Sequence, residues 1–190
     1  AMVDVASSLL SIFHGFVASG QWRLQRGSNL LDGGSPFYAV YETADARQVS
    51  VACLEPKFFA EFVQRTGLDP AWIRDQYNHA RWPELRQAIA QLMRTRTQAQ
   101  WCELLEGTDA CFAPVLTLAE ASGHAHARER SAFVTLDGVV QPAPAPRFSR
   151  TPPGVPEPAP APGTHTEVVL REAGLTDDEI AALRAAGAIR

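Results

Sequence analysis

Apolar side chains near the start of the chain recur at steps of three and four residues, the spacing that places them on one face of an α-helix. The members of this repeat are Val5, Leu9, Ile12, Phe13 and Phe16. The pattern predicts an amphipathic helix over residues 2–18, ended by Gly20. Its apolar stripe has no obvious partner in so short a chain, so we expect it to meet another surface.

A polar loop over residues 25–35 is followed by two runs of β-branched and aromatic residues. The runs cover residues 37–43 and 48–54 and flank a short turn, which predicts an antiparallel hairpin. Because apolar or aromatic residues alternate onto both faces of the first strand, we expect both faces to be largely covered.

Four helices are predicted in the middle of the chain. Pro56 is suited to a first helical position with Glu55 as the cap, and Asp69 opens a short second helix. The third starts near Trp82, and Thr97 is placed to cap the fourth.

The remainder of the chain predicts less regular structure. Pro114 breaks a short apolar run, which is typical of an edge strand or a buried loop. The pair Asp137-Gly138 predicts a second hairpin. Residues 142–163, rich in Pro and Ala, predict an extended strap that is ordered only if something else holds it. Two short helices follow, and Thr176 begins the second with a capping box.

The order of these elements indicates an α+β fold rather than alternating βαβ units: a small domain of antiparallel hairpins packed by helices, followed by the strap and terminal helices. The chain has 190 residues, 46% of them apolar, and a formal net charge of −4. This negative net charge does not favour binding to nucleic acid or to an anionic membrane. No apolar run approaches the roughly 18 residues that span a bilayer, so we expect a cytoplasmic protein.

Common catalytic signatures are missing from the sequence: there is no GxSxG, HExxH, P-loop or GxGxxG motif. The three cysteines have no CxxC spacing and are expected to be buried, reduced thiols. The five histidines are expected to be surface or structural residues; they are His14, His79, His124, His126 and His165.

Two local features could carry chemistry. In the segment from Asn29 to Tyr38, Asp32 lies beside the pair Gly33-Gly34, which would let backbone approach a ligand closely. The alternative is a tight turn in which Asp32 caps backbone amides. At the second feature, Glu55 lies between a strand and a helix, where a carboxylate either caps the helix or is held partly desolvated for chemistry.

Six segments in unbroken order resemble the α-methylacyl-CoA racemases, a branch of the class III CoA-transferase family. They are Asn-Leu-Leu-Asp-Gly-Gly-Ser-Pro-Phe-Tyr (29–38), Tyr-Glu-Thr-Ala-Asp (41–45), Leu-Glu-Pro-Lys-Phe-Phe (54–59), Arg-Trp-Pro-Glu-Leu (81–85), Gly-Thr-Asp-Ala-Cys (107–111) and Ala-Pro-Val-Leu (113–116).

This resemblance implies an enzyme that epimerises 2-methyl-branched acyl-CoA thioesters by removing and returning the α-proton, with no metal or organic cofactor. The family's base and acid, a histidine and an aspartate, belong to an N-terminal Rossmann-like half. We expect that half to be absent here and the isolated chain to be inactive. Glu55 matches the family glutamate that orients the catalytic histidine, and Asp32, Gly33, Gly34 and Tyr38 are candidates for substrate binding.

The resemblance also implies an organisation. Residues 1–34 would belong to a large domain, residues 35–140 would form the small domain, and residues 141–190 would return to the large domain. The expected partners are an acyl-CoA substrate and either a second copy in an interlocked dimer or the N-terminal half. Two alternatives stay open: a CoA-transferase of the same fold, and a non-catalytic assembly or binding module. One departure from the family is Ala46, where a hairpin glycine is common.

Overall fold

The computed structural model describes residues 1–189 and divides into two units, residues 1–117 and a second that begins at Leu118. The first unit opens with two helices, α1 (Met2–Leu9) and α2 (Ser11–Ala18). The prediction of one continuous helix was therefore wrong in detail, because the chain is interrupted at Leu10. Phe16 is half-buried, and the other residues of both helices are exposed.

The sheet of the first unit contains β1 (Tyr38–Glu42), β2 (Gln48–Ala52) and β3 (Phe112–Val115). Both pairings are antiparallel in the order β1-β2-β3, which confirms the predicted hairpin. Of the two alternatives for the run with Pro114, an edge strand and a buried loop, the structure shows the edge strand. The expectation that both faces of β1 are covered was wrong. Tyr41 is buried, whereas Val40, on the opposite face, is 54% exposed.

Four helices cover the buried face of this sheet: α3 (Pro56–Thr66), α4 (Ala71–Asp75), α5 (Trp82–Met93) and α6 (Gln98–Leu105). Each starts where the sequence predicts, and Thr97 caps α6 with a capping box. The largest core side chains of sheet and helices form one cluster that includes Phe37, Phe59, Phe62, Leu85, Ile89 and Trp101. This core fixes the junction between β2 and α3 relative to α5.

The turn between β1 and β2 contains Ala46 with φ +56°, in the left-handed region. A Cβ atom makes this conformation unfavourable, by about 1 kcal/mol or more per residue. Ala46 is thus at a position where glycine would relieve strain.

The second unit contains α7 (Leu118–Ala121), α8 (Ala125–Glu129), β4 (Phe133–Leu136), β5 (Val139–Pro142), α9 (Thr166–Glu172) and α10 (Asp177–Ala185). Strands β4 and β5 pair antiparallel through Asp137 and Gly138, both with positive φ, which confirms the second hairpin. Within the described chain, residues 143–163 form no helix or strand, as the strap prediction requires. Of the helices that the structure describes, none is long and apolar enough to cross a membrane.

Candidate functional site

Asp32 lies at the centre of a tight loop and accepts hydrogen bonds from the chain around it. The donors are Gly27 N (3.1 Å), Asn29 N (2.8 Å), Asn29 Nδ2 (2.7 Å) and Gly34 N (3.2 Å). Burial by itself would raise the pKa of Asp32, but these hydrogen bonds outweigh it and lower the pKa. Asp32 therefore organises the loop as an ionised carboxylate. Of the two alternatives left open by the sequence, this is the tight turn in which Asp32 caps backbone amides.

The loop is closed further by Asn29, which is only 3% exposed. Its carboxamide accepts from Arg23 N at 2.7 Å and donates to Arg23 O at 2.9 Å. A Cβ atom on Gly34 would lie 2.5 Å from both the nitrogen and the oxygen of Asn29. Gly34 is therefore required by the close approach of two backbone segments.

Arg86, on α5, attaches this loop to the helical layer. Its Nη2 donates to the carbonyl oxygens of Gly33 (2.7 Å) and Gly34 (2.9 Å). Tyr38 follows at the start of β1 with its side chain exposed. The carbonyls of Gly33 and Gly34 thus already accept hydrogen bonds from Arg86. Among the candidate substrate-binding residues, Tyr38 is the one with an exposed side chain.

Glu55 occupies the N-cap position of α3 in an extended conformation (φ −75°, ψ 141°), and its carbonyl oxygen accepts from Phe58 N and Phe59 N at 3.0 Å. Within residues 1–189 its carboxylate makes no capping hydrogen bond, and its side chain is exposed. The helix therefore begins without help from this carboxylate. Of the two alternatives that the sequence left open, a capping carboxylate and a buried one, the exposed side chain of Glu55 in this chain is neither.

The backbone that leads into Glu55 is held by side chains from the segment between α4 and α5. Gln76 Nε2 donates to Cys53 O and to Leu54 O, both at 3.0 Å, and the Tyr77 hydroxyl also donates to Leu54 O. The carbonyl of Gln76 in turn accepts from the indole of Trp82 at 2.9 Å. Sequence reasoning missed Gln76 and Tyr77, because nothing in a short polar run between helices indicates which carbonyls it meets.

Tyr77 contacts both candidate features. Its ring lies edge-on to Phe37, with centroids 5.5 Å apart. It also lines a cleft of about 390 Å³ with Asn29, Leu30 and His79. Burial and then the nearby Glu55 carboxylate raise the pKa of Tyr77. The hydroxyl therefore stays protonated and remains a donor to Leu54.

The cysteines near this junction are free thiols. Cys53 is buried, donates to Ala110 O at 2.7 Å, and has a pKa raised to about 12, chiefly by burial. The expectation that all three are buried was wrong for Cys102 and Cys111, which are partly exposed. Among residues 1–189, no group of three or more His, Cys, Asp or Glu is arranged to hold a metal ion.

Comparison with known proteins identifies the family to which this chain belongs. Residues 1–166 match CoA-transferase family III, and the chain belongs to that family. It is 42% identical to mouse α-methylacyl-CoA racemase over 184 residues, which are 95% of this chain and 48% of the mouse protein. It is 40% identical to human α-methylacyl-CoA racemase over 162 residues, 84% of this chain and 42% of the human protein.

The fold is also that of a solved structure, a hypothetical protein from Mycobacterium tuberculosis. The two superpose with a TM-score of 0.62 at 18% identity, over 88% of this chain and 45% of the other. The chain thus spans about half the length of the relatives that it matches.

Proposed function

We propose that this chain is the C-terminal portion of an α-methylacyl-CoA racemase, which epimerises 2-methyl-branched acyl-CoA thioesters. The observation that carries the proposal is the identity of 42% and 40% to two such racemases over most of the chain. The thioester acidifies the α-proton, so that a base on one face can remove it and an acid on the other can return a proton.

In this proposal Glu55 is a positioning residue. Its exposed carboxylate, at the start of α3, would accept a hydrogen bond from the imidazole of a histidine supplied by the N-terminal half. A carboxylate on the far nitrogen fixes the tautomer and stabilises the imidazolium when the histidine holds the proton. Asp32, Gly33 and Gly34 would shape the loop beside the substrate, and Tyr38 would present its side chain to it.

We further propose that residues 1–34 and 141–190 pack on the large domain, that residues 35–140 form the small domain, and that the assembled enzyme is a dimer. The exposed apolar side chains of α1 and α2 support this assignment, because a soluble chain rarely leaves such a surface uncovered.

Deuterium incorporation at the α-carbon of a 2-methylacyl-CoA in D₂O tests the reaction. We expect exchange when this chain is assembled with the N-terminal half of a racemase, and none from the chain alone. Exchange by the chain alone would show that it carries a base and an acid of its own. Transfer of CoA to a free carboxylic acid without α-exchange would show that the protein is a CoA-transferase rather than a racemase. Absence of both reactions would indicate a non-catalytic binding module.

A further inference from the structure

The chain that leads into Glu55 leaves the sheet at Ala52, three residues before Glu55. Strand β2 ends at Ala52, so the carbonyls of Cys53 and Leu54 face partners other than a neighbouring strand. Gln76 supplies one donor to each, and its side chain is 2% exposed. Two consecutive carbonyls are thus held by a single buried carboxamide.

We propose that Gln76 is a positioning residue for Glu55, setting the direction in which the carboxylate leaves the backbone. The inference rests on the proposed function, since Glu55 contributes to turnover only through the imidazole that it orients.

The physical argument starts from the planarity of the peptide bond. The carbonyl of Leu54 and the nitrogen of Glu55 belong to one rigid peptide unit, so hydrogen bonds to Leu54 O fix the plane from which Glu55 departs. On the other side, Pro56 restricts Glu55 to the extended conformation that it shows, with ψ 141°. Glu55 is therefore constrained before and after its Cα, and only its side-chain torsions remain free.

The environment of Gln76 indicates what its carboxamide adds. Gln76 Oε1 is buried and has no hydrogen-bond partner among the described residues. An apolar side chain of the same length would fill this space without burying an unpaired acceptor. The contribution specific to the carboxamide is thus the pair of bonds from Nε2 to the segment before Glu55.

The chain offers a matched control in Gln98. It is also buried, at 5% exposure, and its Nε2 also donates to two carbonyls, Gln48 O at 2.6 Å and Val115 O at 3.2 Å. These lie at the opposite end of β2 from Glu55. Gln98 Oε1 also accepts from Arg47 Nε at 2.6 Å, so Gln98→Met removes one hydrogen bond more than Gln76→Met. Only Gln76→Met, however, loosens the junction at Glu55.

The experiment measures α-proton exchange and Tm of Gln76→Met and Gln98→Met in the chain assembled with the N-terminal half. We expect both variants to lower Tm, and only Gln76→Met to lower kcat, by about ten- to a hundredfold, the loss typical of a misplaced catalytic contact. KM should change much less. In a Glu55→Gln background, Gln76→Met should give no further loss of kcat.

Equal loss of kcat in the two Met variants, or a full additional loss in the double variant, would overturn the inference and leave the proposed function standing. No exchange by the wild-type assembly would overturn the proposed function and the inference with it. If Gln76→Met does not fold, Tyr77→Phe provides the second test, because it removes one bond to Leu54 O from a partly exposed ring. Its kcat should fall severalfold, and an unchanged kcat would count against the inference.

Discussion

Asn29 Nδ2 donates a hydrogen bond of 2.7 Å to Asp32 Oδ2, and this pair closes the loop between α2 and β1. Asn29 binds the main chain of Arg23 on one side, and Asp32 binds the amides of Gly27 and Gly34 on the other. The polar loop is therefore fixed by side chains rather than by secondary structure. Its glycine pair is consequently held by hydrogen bonds from within the chain.

Asp32→Asn should destabilise the chain, because its terminal amide cannot accept every hydrogen bond that the carboxylate accepts. Hydrogen bonds to charged groups contribute about 1.5–3 kcal/mol, and we expect a loss in that range in the free energy of urea-induced unfolding. Asp4→Asn, on the exposed helix α1, is the control. Equal stability of the two variants would contradict the role given to Asp32.

The same substitution has a pH signature. The folded pKa of Asp32 lies below the ordinary value of 3.8, so its contribution is present above that value and is lost as pH falls through the folded pKa. The difference in unfolding free energy between wild type and Asp32→Asn should stay constant above about pH 5 and shrink below about pH 4. Urea titrations from pH 6 downward measure it, and a difference that grows on acidification would refute the assignment.

Ala46→Gly should stabilise the first unit. The alanine holds φ +56°, and glycine removes the Cβ clash while adding entropy to the unfolded chain. The net gain expected is up to about 1 kcal/mol, seen as a rise in Tm. Ala90→Gly, in α5, should lower Tm instead, by the usual cost of glycine inside a helix. A fall in Tm for Ala46→Gly would show that its turn is not strained.

Under the proposed function, Glu55→Gln tests the carboxylate directly in the chain assembled with the N-terminal half of a racemase. We expect kcat to fall by about one to three powers of ten, while KM changes less, because the shape is kept and the charge that supports the imidazole is lost. Tm should change little, since the carboxylate makes no capping bond. Glu61→Gln, on the same helix, is the control and should keep full turnover. Unchanged kcat with a lower Tm would assign Glu55 a purely structural role.

The isolated chain should self-associate through α1 and α2. The exposed apolar side chains of these helices are Met2, Val3, Val5, Leu9, Ile12, Phe13 and Val17, and Leu10 between the helices is also exposed. Ile12→Lys should reduce association in sedimentation velocity and reduce binding of an apolar dye. Val168→Lys, a similarly exposed valine of α9, should reduce neither. A clean monomer at tens of micromolar without dye binding would refute the prediction.

Local chemistry made much of this fold predictable. Pro56 and Thr97 mark the starts of α3 and α6, and Asp137-Gly138 marks the second hairpin. Each of these residues determines the backbone conformation only within a few residues of itself, so its effect is visible in the local sequence. The strap follows from composition, since Pro and Ala cannot build a core. The break at Leu10 was not predicted, because the apolar repeat continues through it.

The sequence by itself therefore determined the element types, the α+β class and the family, all of which depend on neighbouring residues or on short motifs. Only the tertiary structure decided that Asp32 binds its own loop, that the Glu55 carboxylate is exposed, and that Gln76 holds the backbone before it. Gln76 and Leu54 are 22 residues apart. Such a contact depends on how the helices pack on the sheet, and packing is a property of the whole core that no local pattern records.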